Sequence, residues 1–418
     1  MNNNSIILSI FLSLFLVLSP RRLFFFPFVA AACFAPMNQR LILFNLDFTL
    51  LRILILIGLL RLTIKGETRD IHWNKFDKLI LSWGVVGSLI YSVQQSTADA
   101  TINRAGLLFD SLGMYWLFRQ ILHEWEDVLN AIKFFALFAI ITAPLIALEN
   151  LQVTNFFSLF GPTQGQFHRD RFRAAGSFPH YIMMGSFWAS LLPFFYARIK
   201  AQKDIYYYWL AIAASLSNVY CSASSTSIFT VVAIIFAWQL YNLRMHGKIL
   251  FWGACVLLLL LHLIMNAPVW HLLSRIDIFG GSTGYHRYNL VDKFLKNIQE
   301  WFFLGTKSTE HWGWGLQDIT NQFVLEGVRG GIATLIVFII LTYCAVKIPG
   351  KLSLNSHTPD AKWMSWAICV AMLGHFATFW GVSYFGQINM LLTFCFALVA
   401  FSLEKSSASE INLSPLPR

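Results

Sequence analysis

The chain has 418 residues, of which 56% are hydrophobic and 12% are charged, and its formal net charge is +10. Soluble domains average about 45–50% apolar and about 25% charged residues, so the composition excludes an ordinary soluble protein. The apolar residues form continuous runs of spanning length, which disfavours a β-barrel because barrel strands alternate apolar and polar residues. We therefore predict an all-α polytopic membrane protein.

The positive charge is spread over short loops and is not concentrated in a basic run with interleaved aromatic residues. Nucleic acid is therefore not predicted as a partner. All six cysteines fall in or at the ends of apolar runs, and no pair has the spacing of metal ligands. We expect no disulfide, no metal site and no cofactor.

Two short apolar runs, residues 5–18 and 23–35, open the chain. The arginines between them follow the first run, whereas a signal peptide carries its basic region first, so both runs are predicted to be membrane segments. Eleven longer runs follow: 41–64, 79–93, 105–122, 131–148, 181–196, 206–221, 228–243, 249–266, 330–346, 363–380 and 385–403. The prediction is a bundle of 12–13 transmembrane helices.

Polar intervals divide this bundle. Residues 1–266 carry transmembrane helices and a short polar loop at 150–180. Residues 267–326 form a large polar loop, residues 327–403 carry the C-terminal spans, and residues 404–418 are predicted to be a cytoplasmic tail.

Lysine and arginine in short loops predict the orientation, because cytoplasmic loops retain them. Alternate loops place the following residues on one side, which is predicted to be cytoplasmic: Arg61, Lys65, Arg69, Lys75, Lys78, Arg119, Arg198, Lys200, Lys203, Arg244, Lys248, Lys347, Lys351 and Lys362. The other side is poor in positive charge except at residues 169–173 and 275–307. Topology does not explain these exceptions, so they indicate an anionic ligand on the outer side.

The large loop contains a helical pattern followed by a glycine-rich run. Arg287, Val291, Phe294 and Ile298 fall on one helical face, which predicts an amphipathic helix over 285–302 with Arg287 on its buried face. The alternative is a plain surface helix whose arginine only snorkels. Residues 305–315 hold too many glycines for a helix and are predicted to form a loop.

Several charged residues lie at or within predicted spans. Asp47 and Arg52 share a span and are expected to pair. Arg104 begins another span on the outer side, where it is a candidate extension of the anion site. Arg329 enters the membrane beside two glycines, and its charge there indicates a partner, either Glu326 or a substrate phosphate.

Two motifs carry a resemblance to a known family. The first opens a span from the outer side and reads Arg173-Ala174-Ala175-Gly176-Ser177-Phe178-Pro179-His180. It resembles the arginine-glycine-phenylalanine signature of the bacterial O-antigen ligase and O-antigen polymerase family. The large loop followed by Glu326-Gly327-Val328-Arg329-Gly330-Gly331 is similar to the family's second signature. The resemblance covers roughly residue 104 to the last span and depends on the order, spacing and shared side of the motifs.

This resemblance implies a metal-independent, GT-C-like glycosyltransferase in the bacterial inner membrane, with its active site facing the periplasm. It implies a glycan on undecaprenyl diphosphate as the donor. The acceptor would be a lipid A core sugar in a ligase or a carrier-linked repeat unit in a polymerase. By motif match, Arg173 and Arg287 take the roles of diphosphate-binding arginines, and Arg171 and Arg329 are further candidates for that role.

The resemblance leaves the catalytic base open. Ligases of this family place a histidine and a small polar residue at the end of the long loop, where this chain has Gln317-Asp318-Ile319-Thr320-Asn321. His311 and Asp318 are the candidate bases, and the choice between ligase and polymerase stays open. Trp312, Trp314 and Asn321 are candidates for sugar contacts, because aromatic rings stack on sugars.

The chemistry is consistent with such a reaction. Transfer from a diphosphate needs the charge of the leaving group to be stabilised, and guanidinium groups offer paired donors that match phosphate oxygens. The main alternative is a membrane transporter or flippase of a lipid-linked or anionic solute, although the two halves show no internal repeat. A non-catalytic scaffold for polysaccharide export is the other alternative.

Overall fold

The computed structural model describes residues 1–43, 46–163, 165–168, 171–275, 283–356 and 358–413. In these residues the chain is 77% helical, with two short antiparallel hairpins. The helices are α1 (Asn3–Leu18), α2 (Phe25–Phe34), α3 (Leu50–Ile64), α4 (Lys75–Gln95), α5 (Ala98–Leu108), α6 (Met114–Ile121), α7 (Trp125–Gln152), α8 (Tyr181–Lys200), α9 (Ile205–Cys221), α10 (Ser225–Gln239), α11 (Gly247–Ile264), α12 (Thr283–Lys296), α13 (Ile298–Trp301), α14 (Gln322–Asn355), α15 (Pro359–Phe379) and α16 (Ile388–Leu413). The strands are β1 (Arg40–Leu43), β2 (Leu46–Thr49), β3 (Gln166–His168) and β4 (Arg171–Arg173). The predicted all-α fold is confirmed.

Six helical stretches of the described chain are long and apolar enough to cross a membrane. They are Lys75–Gln95, Trp125–Gln152, Tyr181–Lys200, Ser225–Ile264, Gln322–Asn355 and Ile388–Ser406. Several other predicted spans form shorter helices, such as α1 with 16 residues and α9 with 17. The architecture is that of a membrane-embedded helix bundle.

The predicted span over 41–64 is wrong in its first part. Residues 40–43 and 46–49 form the paired strands β1 and β2, and α3 has only 15 residues. The expected pairing of side chains between Asp47 and Arg52 is also wrong. The Asp47 carboxylate accepts a hydrogen bond from Arg40 at 2.6 Å, whereas Arg52 binds the Asp110 carboxylate at 2.7 and 2.5 Å and reaches only the backbone carbonyl of Asp47. Asp47 lies in β2 and Arg52 lies in α3, so the two side chains belong to different elements.

Basic loops that were predicted to share one side of the membrane meet at one end of the bundle. Arg119 is buried and lies 2.9 Å from Asp77 and 2.8 Å from Glu404, and Arg69 lies 3.0 Å from the same Glu404 carboxylate. Removing one partner of a buried ion pair leaves an uncompensated charge and typically costs about 3–5 kcal/mol. This end of the molecule is therefore held together by paired charges.

Helix α14 reverses direction at Gly331. Phe338 follows Phe323 by 15 residues, about 22 Å along a straight helix, yet their ring centroids lie 5.6 Å apart. Gly331 has φ 62°, in the left-handed region that favours glycine. Residues 322–330, which we call the fold-back segment, therefore pack beside the longer helical part, residues 332–355.

A loop from the large polar interval supports this reversal. The Thr306 amide donates to the Val328 carbonyl and the Ile332 amide donates to the Phe302 carbonyl, both at 2.8 Å. These bonds satisfy backbone groups that would otherwise be unpaired inside the bundle. The approach is so close that a Cβ atom at Gly331 would lie 2.3 Å from the Phe303 carbonyl oxygen.

Gly331→Ala is expected to lower the free energy of unfolding by about 1–3 kcal/mol, because the added methyl group meets the loop and alanine is strained at this φ. Gly253→Ala is the matched control, since a Cβ atom at Gly253 in α11 meets nothing within 4 Å. Thermal unfolding of the purified protein in detergent measures the difference. Equal stability of the two variants would contradict the close approach at Gly331.

Candidate functional site

The segment that follows β4 is built around a buried carboxylate. The amides of Ala175 and Gly176 donate to the two oxygens of Glu149 at 3.1 and 2.9 Å, and Gly176 has φ 61°. The Ala174 amide donates to the Cys221 carbonyl at 3.0 Å. These bonds fix the backbone immediately after Arg173, so they position the Arg173 side chain.

Arg173 is buried, with 9% of its surface exposed. Its Nη1 atom donates to the Tyr181 hydroxyl at 2.6 Å, and its guanidinium lies 4.7 Å from the centre of the Tyr181 ring. Its Nε atom is buried and has no hydrogen-bond partner among the described residues. One donor of this guanidinium thus remains unused by the protein.

Arg287 lies on the buried face of α12, together with Leu290, Val291 and Phe294. Its Nη2 atom donates to the Thr226 hydroxyl at 2.8 Å, and its Nε atom donates to the Gly381 carbonyl at 3.2 Å. The predicted helix over 285–302 is shorter than expected, because α12 ends at Lys296 and α13 begins at Ile298. Ile298 is exposed beyond this break, so its predicted place on the buried face is wrong.

The segments that carry both arginines lie beside the turn between α9 and α10. Ala174, the residue after Arg173, bonds to Cys221 at the end of α9, and Arg287 bonds to Thr226 in the first turn of α10. Ser227, also in the first turn of α10, donates to the Ile182 carbonyl in the first turn of α8. The structure therefore brings the segments that carry Arg173 and Arg287 to the same end of the bundle.

His180 lies beside these residues and was not predicted as a site residue. Its Nδ1 atom accepts a hydrogen bond from the Ile182 amide and caps α8. Burial lowers the pKa of the His180 imidazole to about 4, while Asp318 opposes this shift and Arg173 adds to it. Asp318 itself is exposed. The imidazole is therefore neutral at ordinary pH and lies between an acidic and a basic side chain.

The other candidates from the large loop have different surroundings. His311 is exposed and lies 2.6 Å from the Glu300 carboxylate, which also accepts a hydrogen bond from Trp312 at 2.9 Å. Trp312 is buried and Trp314 is 98% exposed, so only Trp314 presents an open ring face. Asn321 is buried and its side-chain oxygen caps α14. Trp312 is held by packing, whereas the buried Nδ2 atom of Asn321 has no hydrogen-bond partner among the described residues, and the sugar contacts of both side chains stay predictions.

Arg171 and Arg329 do not share one environment. Arg171 is exposed on the β3–β4 hairpin, opposite His168. Arg329 lies on the fold-back segment and lines a separate cavity.

This cavity has a volume of about 300 Å³ and lies between α4, α5, α14 and α16. One face of the fold-back segment forms its wall, through residues spaced at i, i+3, i+4 and i+7: Gln322, Leu325, Glu326 and Arg329. The Glu326 carboxylate accepts hydrogen bonds from the Trp83 indole at 3.0 Å and from the Gln322 amide at 2.8 Å. Arg104 also lines the cavity and interacts electrostatically with Glu326.

Within the described residues no group of three or more histidine, cysteine, aspartate or glutamate side chains could hold a metal ion. The fold and the site together define a membrane-embedded, all-α protein with buried arginines at one end and a second, charged cavity. No protein-family description matches the chain, and neither the curated proteins nor the solved structures contain a significant match to it.

The pKa of His180 predicts a pH dependence of stability. Above pH 6.5, its ordinary pKa, the imidazole is neutral in both the folded and the unfolded chain. As the pH falls from 6.5 to 4, only the unfolded chain takes up the proton, so the free energy of unfolding decreases. His180→Asn keeps an acceptor for the cap of α8 but does not titrate, and its unfolding temperature should fall less over this pH range. Parallel curves for the two proteins would contradict the lowered pKa.

Proposed function

We propose that the chain is an integral inner-membrane glycosyltransferase of the O-antigen ligase or polymerase type. It transfers a glycan from an undecaprenyl-diphosphate carrier to a sugar hydroxyl, which belongs to a lipid A core or to a carrier-linked repeat unit. The observation that supports this proposal is that the segments carrying Arg173 and Arg287 meet beside the turn between α9 and α10, at one end of a membrane-embedded bundle.

In this reaction the acceptor oxygen forms a bond to the anomeric carbon while the bond from that carbon to the diphosphate oxygen breaks. Undecaprenyl diphosphate leaves with the bonding electron pair, and the hydroxyl proton passes to a base. The unpartnered Nε atom of Arg173 is available to a phosphate oxygen. Arg287 supplies a second positive charge, which Thr226 and Gly381 hold in place.

Asp318 is the better candidate for the base. The Asp318 side chain is exposed and interacts electrostatically with His180, and His180 also interacts electrostatically with Arg173. His311 is instead paired with Glu300 on the surface. The proposal further assigns the large loop, predicted over residues 267–326, to the periplasm as far as Asn321, because the residues after it belong to the fold-back segment. It counts the shorter apolar helices among 12–13 membrane passes.

Arg173→Ala and Arg287→Ala are expected to leave the protein folded and inserted but to reduce transfer by a factor of about 10² to 10³ each, because each removes charge stabilisation from the leaving diphosphate. The measurement is the length distribution of surface glycan in a host whose own copy is deleted and replaced by each variant. Arg40→Ala is the control, since Arg40 is an exposed arginine on the β1–β2 hairpin that pairs only with Asp47. A normal length distribution of surface glycan from either site variant, at a normal protein level, would contradict the proposed role of these arginines.

Asp318→Asn should reduce transfer by a factor of about 10² to 10⁴, the range of a lost general base. His311→Ala should have a much smaller effect, because its imidazole is engaged with Glu300. The rate of transfer by the purified protein, with host lipid-linked glycan as donor, distinguishes them. The reverse order of effects would move the base to His311.

A transporter or flippase of a lipid-linked or anionic solute is the second candidate function. The reversal of α14 and the charged cavity favour it, because secondary transporters bind solutes at interrupted helices. Proteoliposomes separate the two functions. Formation of a new glycosidic bond supports transfer, whereas movement of intact lipid-linked glycan between leaflets, with no new bond, supports transport.

A further inference from the structure

Two arginines, Arg104 and Arg329, line the cavity beside the fold-back segment. No ion pair within 4 Å in the described part of the chain includes Arg104 or Arg329. The Nε atom of Arg104 is buried without a hydrogen-bond partner, and its guanidinium rests on the Tyr91 ring at 5.3 Å. Arg104 and Arg329 both interact electrostatically with Glu326, which can offset only one of the two positive charges, so the cavity can stabilise a further anion.

The charges around the cavity define the ligand that fits. Asp110 is neutralised by Arg52 at 2.5 Å. Arg104 and Arg329 contribute +2 and Glu326 contributes at most −1, which leaves a positive sum of at least +1. A phosphodiester carries one negative charge and complements this sum. The Glu326 carboxylate is an acceptor, so a hydroxyl on the same headgroup would have a partner.

The surroundings of the cavity indicate a lipid. Its volume of about 300 Å³ is at the lower end of ligand pockets, which span about 300–1,000 Å³, and it suits a headgroup better than a whole lipid. Arg329, Leu107 and Phe385 line the cavity and are exposed, so it is open to the outside. Leu89 and Val93 of the neighbouring α4 are exposed apolar residues, as expected where acyl chains contact the bundle.

We propose that this cavity binds the headgroup of an anionic phospholipid, with its phosphodiester between Arg104 and Arg329 and a headgroup hydroxyl donating to Glu326. The site is separate from the cluster around Arg173 and Arg287. The inference goes beyond the proposed transfer reaction and does not depend on it.

The test is lipid binding to the purified full-length protein in non-ionic detergent, followed by native mass spectrometry. Phosphatidylglycerol, an anionic phosphodiester with headgroup hydroxyls, should bind about tenfold or more tightly than zwitterionic phosphatidylcholine. Arg104→Gln and Arg329→Gln should each weaken phosphatidylglycerol binding by about tenfold, the order expected for one charge-assisted hydrogen bond. Unchanged binding in both variants would overturn the proposal.

Glu326→Gln is expected to strengthen the binding of an anionic lipid, whereas the two arginine variants weaken it. Because a misfolded protein would not bind lipid more tightly, this variant separates a charge effect from misfolding. It removes a negative charge, so phosphatidic acid, which has no headgroup hydroxyl, should bind more tightly while the preference for phosphatidylglycerol over phosphatidic acid is lost. An unchanged preference would refute the role of Glu326. Displacement of the lipid by millimolar inorganic phosphate would show that the site takes soluble phosphate and would overturn the lipid assignment.

Two controls keep this test separate from the transfer reaction. Lys307→Gln removes an exposed positive charge from the large loop without touching the cavity and should bind lipid normally. Arg173→Ala should also bind phosphatidylglycerol normally, because Arg173 does not line the cavity. Loss of lipid binding in either control would contradict the location of the site.

Discussion

The two backbone hydrogen bonds between the loop at 302–306 and α14 are the constraint on which both candidate sites depend. They pair backbone groups of a helix that turns back on itself inside the bundle, where unpaired backbone groups are costly. Because the bonds involve Val328 and Ile332 on either side of Gly331, they hold the fold-back segment against the rest of α14. Glu326 and Arg329 of that segment line the cavity. Asn321, the residue before the segment, caps α14 and follows Asp318 by three residues.

Ion pairs distinguish the arginines with a structural role from the arginines that are candidates for function. At one end of the bundle Arg119 and Arg69 share carboxylates with their neighbours, and Arg198 lies 2.7 Å from Asp360. Arg173 is buried and Arg104 is half-buried, yet neither belongs to an ion pair within 4 Å in the described chain. Guanidinium groups keep their charge under all relevant conditions, so the second kind carries an uncompensated positive charge that a phosphate-bearing ligand can neutralise.

The sequence predicted the class of fold well, because apolar runs and low charge report directly on a membrane bundle. It predicted that the segments of Arg173 and Arg287 share one side, because alternate loops fix sidedness even when contacts are unknown. It missed the hairpin at 40–49, since apolar strands and spans share the same composition. It also missed the fold-back, although the signals were present: paired glycines at 330–331, and Gln322, Glu326 and Arg329 at helical spacing. These signals did not suffice, because the reversal also depends on long-range backbone contacts such as Thr306 with Val328, which the local sequence does not reveal.

The connection between α15 and α16 shows why the two sites should not be regarded as independent parts of the fold. The Gly381 carbonyl accepts from Arg287, and the Tyr384 amide donates to the Gln322 side chain at 2.8 Å. Gln387 then donates to the Ser177 carbonyl at 2.9 Å, within the segment that follows Arg173. One stretch of seven residues, 381–387, thus contacts Arg287, the start of the fold-back segment and the Arg173 segment. Residues 381–387 therefore border both the cavity and the surroundings of Arg287.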